Sequence, residues 1–553
     1  MSWSRRLSFR KSFGLAFALL GWSLASLAQD SGQAEITLGA QFRIAGTAVN
    51  AISGAPLAQT RVTIYDVKNP NAMRSTVTSE DGRFEFGQLS AGKYSLQGAR
   101  RGFIAAAYDQ HEQYSTAIVT GVGIDTENLA LKLNPAAVLS GRVVDESGDP
   151  VRKAAVALYR EDHTLGVSRV VQINGTQTDD LGAYEFARLS PGNYFVSATA
   201  KPWYAVHPPS SGASDPPSEA AHSLDVAYPT TYYPDATDAD EAVPIPLKGG
   251  DRLPVEIRLS PVAALHLRFH VSENGDQGFA MPMLQRRAFD SQQNAPSDGM
   301  QMISPGVYEL VGVPAGRYSV RAAGSDGQIA QTDVDLVNDG QELDTTGADP
   351  VGSIKASVQV LGQKDLPGQL WLGLSDSRHS VVANQSPDTK GEVHFENIAP
   401  GKYSLLAWGS DKAYGVTRVS AQGTAISGNS LTVAPGATLE ISVSLATGSA
   451  NVEGLATRNG KGTAGAMVVL VPEDPEARRE LFRRDQSDLD GTFSLRNVVP
   501  GTYTIIAIEN GWDLDWSQPA VLMQYAKHGQ SLKVSAQAHG SVKVPEAVEI
   551  QAK

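Results

Sequence analysis

Residues Asp490-Gly-Thr-Phe-Ser-Leu-Arg-Asn-Val-Val-Pro-Gly-Thr-Tyr503 carry a pattern that the chain writes five times. A turn glycine is followed by apolar or aromatic residues two and four positions later, by a second glycine ten positions on, and by a tyrosine two beyond that. The glycine pairs are Gly82/Gly92, Gly182/Gly192, Gly306/Gly316, Gly391/Gly401 and Gly491/Gly501, with Tyr94, Tyr194, Tyr318, Tyr403 and Tyr503 behind them. Phe84/Phe86, Tyr184/Phe186, Tyr308/Leu310, Val393/Phe395 and Phe493/Leu495 alternate with mostly polar neighbours, the period of a half-buried strand. Asp81-Gly82 and Asp490-Gly491 are hairpin dipeptides in which glycine supplies φ > 0. After the second glycine the alternation resumes, as in Tyr503, Ile505 and Ala507, so that large, medium and small side chains share one face in every copy. Facing sheets that taper together need such a face.

Successive first glycines lie 100, 124, 85 and 100 residues apart, too long for a solenoid unit and right for a complete small sandwich. Upstream of the motif each copy opens with an alternating strand, as at Val138-Leu-Ser-Gly-Arg-Val-Val-Asp145, and downstream it closes with one such as Val255-Glu-Ile-Arg-Leu259. About seven strands per copy follow, in domains expected at 42–134, 136–260, 261–350, 351–446 and 448–553, with a linker at 29–41. Residues 202–243 explain the 124-residue spacing as an insertion rich in Pro and Tyr, read as a flap on the second domain. The 53 glycines and 30 prolines suit turn-rich β architecture, and the five domains are expected to form a rod.

Arg5, Arg6, Arg10 and Lys11 precede the apolar run Phe13 to Leu27, and small residues end it at Ser26 and Ala28. This is the pattern of a signal peptide spanning 1–28. Arg5-Arg6 suggests export of a folded chain, although the following Leu-Ser-Phe fits that pattern poorly. No second run is apolar enough to span a bilayer, and the chain has no cysteine to carry a lipid, a disulfide or a thiolate metal site. The expectation is a soluble periplasmic or extracellular protein that is not a lipoprotein. Loss of four basic residues with the leader takes the net charge from −13 to −17, a poor balance for nucleic acid.

The pattern Ser-Gly-x-Val-x-Asp, followed by Thr-Asp-x-x-Gly-x-Tyr-x-Phe-x-x-Leu-x-Pro-Gly-x-Tyr, in residues 140–194 resembles the carboxypeptidase regulatory-like domain family. Copies one and five carry the pattern well, copy four has Val393 at the aromatic position, and copy three has Ser304-Pro305-Gly306 at the turn. The resemblance implies an all-β chain of five tandem, seven-stranded, transthyretin-like (Ig-like) β-sandwiches. It further implies accessory modules of the kind attached to peptidases, outer-membrane receptors or surface proteins.

No His-Glu-x-x-His occurs among the ten histidines; His-x-x-Glu occurs once, at His270-Val-Ser-Glu273, and zinc peptidase chemistry is not expected of it. His222-Ser-Leu-Asp225 is a near miss, and His266 and His270 read as ordinary residues of one strand, about 13 Å apart. Gly87-Gln-Leu-Ser-Ala-Gly92-Lys93 approaches a phosphate loop, but Tyr94 stands where a hydroxyl must hold Mg²⁺. No catalytic residue, metal or cofactor is expected.

Aromatic loops remain. Phe103, Trp203 and Trp512 each lie eleven residues after the second glycine of their copy, with Tyr204, Tyr228, Tyr232, Tyr233, Trp408 and Trp516 around them; copies three and four have Gly327 and Lys412 instead. Such rings either stack on sugars or peptide, or plug the open end of each sandwich. The functional expectation is a non-enzymatic binding or surface-scaffold protein with a polysaccharide or protein partner in the envelope, glycan first. The alternative is an accessory partner of an exported peptidase or outer-membrane transporter.

Overall fold

In every copy the motif is an arch between two sheets. The strand after the first glycine pairs with the strand that opens the copy, as Arg83–Leu89 does with Phe42–Asn50 and Thr492–Val498 with Ala450–Arg458. The strand after the second glycine pairs in the facing sheet, as Gly92–Ala99 does with Arg61–Asp66. A computed structural model describes residues 41–208, 223–270, 283–323, 329–343, 349–410, 412–421, 426 and 428–553. The signal peptide and the middle of the 202–243 insertion lie outside them. Five successive sandwiches result, each around its own apolar core. Each is closed by a strand that runs parallel to the opening one, for example Thr438–Thr447 beside Gly352–Val360. In the fifth, Val548–Gln551 pairs with a strand of both sheets and joins them into one.

The five motif tyrosines share one bond. Tyr94, Tyr194, Tyr318, Tyr403 and Tyr503 each donate the phenol hydroxyl to the backbone carbonyl four residues upstream, at 3.1, 2.7, 2.7, 2.7 and 2.6 Å. The ring fills the core while its hydroxyl ties down the connection between the two sheets. A buried phenol thereby finds its partner locally.

A second shared feature lies six residues after the first glycine. Gln88, Arg188, Asn397 and Asn497 take φ of 57°, 59°, 58° and 56°, and Gly312 takes 71°. The strand register shifts in the same place in every copy, between Phe186 and Leu189 in the second. One extra residue thus bulges out of the sheet and bends the strand toward its arch. Arg188 is exposed, and the left-handed backbone is costly for an L side chain. Arg188→Gly is therefore expected to stabilise the second sandwich by about 0.5–1 kcal/mol in urea unfolding, net of the flexibility glycine adds to the unfolded chain. A loss of stability would show that the side chain is needed there.

The sandwiches do not form a rod. The first folds back on the fifth: Leu489 N donates to Ala117 O at 3.0 Å, Lys93 Nζ lies 2.5 Å from Asp488, and the His111 and Trp512 rings stack at 5.0 Å. Gln41–Lys553 is accordingly one compact unit. Nor is the described part of the insertion a flap. Val226–Ala227 pairs with Val262–Ala263, and Thr231–Tyr232 adds to the edge of Gly192–Thr199. Tyr232 buries its ring against Tyr159 and Phe289, which fixes the segment between the second and third sandwiches.

Candidate functional site

The return of the first sandwich encloses an open cleft of about 1980 Å³ walled by four sandwiches. Lys93 comes from the first, Leu165 from the second, Trp408 from the fourth, and Arg483, Asp485 and Arg496 from the fifth. Asp485 accepts from Ser494 N at 2.6 Å, yet burial, with Asp488 nearby, pushes its carboxyl up to about 6. Burial also raises Asp488, against the pull of Lys93. Trp408 is 37% exposed, pairs across strands with Trp371, and lies over Gly373, where a Cβ would come within 2.6 Å of the indole. Gly373 thus lets the ring settle on the sheet while part of it stays open to the cleft. A fixed ring among donors and acceptors can hold a polar ligand without covalent chemistry.

The rings expected either to form a repeated platform or to plug the open end of each sandwich meet different fates. Trp203 is 88% exposed, with Tyr204 against its edge at 5.7 Å. Tyr204 and Tyr228 both donate to Glu146, the second at 2.8 Å. Phe103 is half-buried on the first core beneath the Arg100 guanidinium, and Tyr233 is half-buried on the second core. Tyr232, Trp512 and Trp516 are 0, 9 and 5% exposed. Trp512 stacks on His111 of the first sandwich and Trp516 meets Phe482 and Arg484, so neither has a free face for a sugar. Equivalent positions in sequence therefore do not give an equivalent row of rings. The reason is tertiary: the fifth sandwich spends its loop on the contact with the first. Trp408 lies outside the three-copy spacing, which is why that spacing did not single it out.

A second polar cluster sits where the second and third sandwiches meet. His207 places Nδ1 2.7 Å from Asp225 Oδ1 and Nε2 2.6 Å from Asp298 Oδ2. Those hydrogen bonds, to Asp225 and then to Asp298, push the imidazole up to about 9. Burial works to raise Asp298, but the bonds from His207 and Lys201 outweigh it and hold the carboxyl low. His266 completes the group, with Nε2 3.6 Å from Asp225 Oδ2 and Nδ1 2.9 Å from Asp339 Oδ1. His266 is thus no ordinary sheet residue: it turns away from the core side of Leu265–His270 and is buried in the seam, whereas His270 is exposed and pairs with Glu342. Sequence distance hid this, because His207 and His266 belong to different sandwiches.

Among the described residues no helix is long and apolar enough to cross a membrane. No curated protein matches the sequence. Among solved structures, the Bacillus anthracis TIE protein is similar over 96% of this chain and 75% of its own, at 10% identity and a TM-score of 0.17. GBS52, the minor pilin of Streptococcus agalactiae, covers 40% of this chain and 96% of its own, at 12% identity and 0.21. BcpA, the major pilin subunit of Bacillus cereus, covers 73% of this chain and 99% of its own, at 10% identity and 0.15. Scores this low describe no common superposition, and nothing of those proteins' assembly follows for this chain. Residues 43–126 and 138–209, in the first two sandwiches, match the family model of the carboxypeptidase regulatory-like domain.

Proposed function

We propose that the chain is an exported, non-catalytic binding scaffold whose central cleft holds an extended polar polymer, with glycan the first class to test. The observation that supports this is Trp408: a ring seated on Gly373 and partly open on the wall of a cleft built by four sandwiches. Such a cleft, at about 1980 Å³, has room for several sugar rings and offers both charge signs for hydroxyl contacts. The chain without residues 1–28 is expected to bind at least one polysaccharide in affinity electrophoresis, and Trp408→Ala to weaken that binding about tenfold through loss of one stacked ring. Absence of binding across a glycan array, or equal binding by Trp408→Ala, would remove the reading.

A protein partner is the second reading, favoured by Trp203, whose indole stands 88% exposed and is not among the residues that line the cleft. Recovery of an envelope peptidase or transporter component with the wild-type chain, and its loss with Trp203→Ala, would favour this reading over the first.

A further inference from the structure

We propose that His207 Nδ1, a carboxylate oxygen of Asp225 and His266 Nε2 form a divalent metal site of the zinc class in the seam between the second and third sandwiches. One donor atom from each residue lies within 4.8 Å of the others. The two imidazoles stand nearly perpendicular, at 85°, with centroids 6.3 Å apart, so their inner nitrogens converge on the carboxylate between them. Each outer nitrogen faces another carboxylate: Asp298 at 2.6 Å behind His207 and Asp339 at 2.9 Å behind His266. The bond from His207 to Asp298 is the kind by which a protein fixes the ring and the tautomer of a metal-binding histidine, whereas Asp339 stands beside the outer nitrogen of His266 without bonding it.

His266 is the independent sign of a ligand. It is 1% exposed, and neither ring nitrogen completes a hydrogen bond, despite the nearby carboxylates. The Asp339 oxygen that faces its ring takes the His266 backbone N–H instead, at 3.0 Å. A buried imidazole left in this way is costly unless something else engages it. The 3.6 Å between His266 Nε2 and Asp225 Oδ2 is long for a hydrogen bond but close to the roughly 3.3 Å that separates two donors on one tetrahedral zinc. The 2.7 Å from His207 Nδ1 is to the other oxygen, Asp225 Oδ1, and is a hydrogen bond, so binding requires loss of the Nδ1 proton and a turn of the carboxylate that brings one oxygen toward both rings. Two nitrogen donors with one oxygen suit zinc or cobalt better than calcium or magnesium.

Charge agrees. Asp225, Asp298 and Asp339 bring three carboxylates to the seam, and Lys201, 3.0 Å from Asp298, is the lysine paired there. With both imidazoles neutral, a divalent ion balances the remaining charge. Space has also been made for the pair. The bulge residue is Gln, Arg or Asn in the other four copies but Gly312 in the third, and a Cβ there would lie 2.9 Å from His207 Nε2 and 2.7 Å from Asp298 Cβ.

The test is equilibrium binding of Zn²⁺, and of Co²⁺ followed by its visible absorption, to the tag-free chain stripped with chelator. One ion per chain is expected, with a cobalt spectrum of low-symmetry, four-coordinate type. Asp225→Asn is expected to weaken Zn²⁺ binding at least 100-fold, and Asp339→Asn about 10–100-fold as the outer partner of His266. Asp339 is partly exposed, so the second variant keeps the test valid if the first folds poorly. His270→Ala, on the same strand but exposed, is expected to bind like wild type. Absence of a stoichiometric ion in the wild-type chain, or unchanged affinity in Asp339→Asn together with Asp225→Asn, would overturn the proposal.

Discussion

Arg484→Ala is expected to cost the folded chain about 3–5 kcal/mol, the usual penalty for removing one partner of a buried ion pair. Arg484 comes from the strand Arg483–Gln486 of the fifth sandwich, and its side chain is almost fully buried. Nη2 donates to Glu112 Oε2 of the first sandwich at 2.6 Å and to Thr164 O of the second at 2.9 Å. The guanidinium also lies 4.4 Å from the Trp516 ring centre and 5.2 Å from that of Tyr114. One side chain therefore holds three sandwiches together. Without it Glu112 is left mostly buried and unpaired, and the rings lose the cation they surround. Denaturant unfolding followed by tryptophan fluorescence should show the loss, and solution scattering should show an increased radius as the first sandwich swings free. The pair Arg484→Met with Glu112→Leu should regain most of the stability, because a buried ion pair is often replaced by apolar side chains at little cost. A loss under about 1 kcal/mol in Arg484→Ala would mean that the first and fifth sandwiches do not meet in solution.

What the sequence made legible was what each copy does for itself. The two glycines and the tyrosine of every copy predict an arch and a core seam, and Tyr503 occupies both, ring inward and hydroxyl on Val499 O. The first glycines do take positive φ, from 69° at Gly182 to 85° at Gly491. The bulge was not legible, because Gln88 and Arg188 are not residues that announce a left-handed backbone; only Gly312, Asn397 and Asn497 hint at it. Contacts between copies were less legible still. Ala117 N reaches Asp488 Oδ1 across 371 residues, and no periodicity encodes such a pairing. The aromatic loops illustrate the consequence: eleven residues after the second glycine, Trp203 is bare and Trp512 is stacked on His111, because only the latter faces another sandwich. The His207, Asp225 and His266 cluster failed to appear for the same reason. Its members are unremarkable singly and come together only when two sandwiches dock.

Gly141→Ala is expected to destabilise the second sandwich by about 3 kcal/mol, the upper range for forcing an atom into a packed site. The glycine of the Ser-Gly-x-Val pattern has no need of an unusual φ; what it supplies is room. A Cβ at Gly141 would lie 1.7 Å from the carbonyl oxygen of Val255 and 2.6 Å from its carbonyl carbon. In the first sandwich Gly46 meets the carbonyl of Leu129 in the same way, at 2.1 Å. The glycine thus marks where the closing strand crosses the opening one. Since the obstacle is backbone, no rotamer change relieves it, and the closing segment must move away. That movement would break two bonds at Val255, the amide to Ser140 O and the carbonyl from Tyr184 Oη, both 2.7 Å. It would also draw Val255, Ile257 and Leu259 out of the core they help to fill. Hydrogen exchange is the direct measurement: amides of residues 252–259 should lose protection in Gly141→Ala while those of the fourth sandwich keep theirs. Gly87→Ala is the comparison, because a Cβ there meets nothing within 4 Å, and its effect should stay within about 0.5 kcal/mol. Equal protection in the two variants would show that the closing strand is not held at the crossing, and that the repeated spacing of the arch alone closes the sandwich.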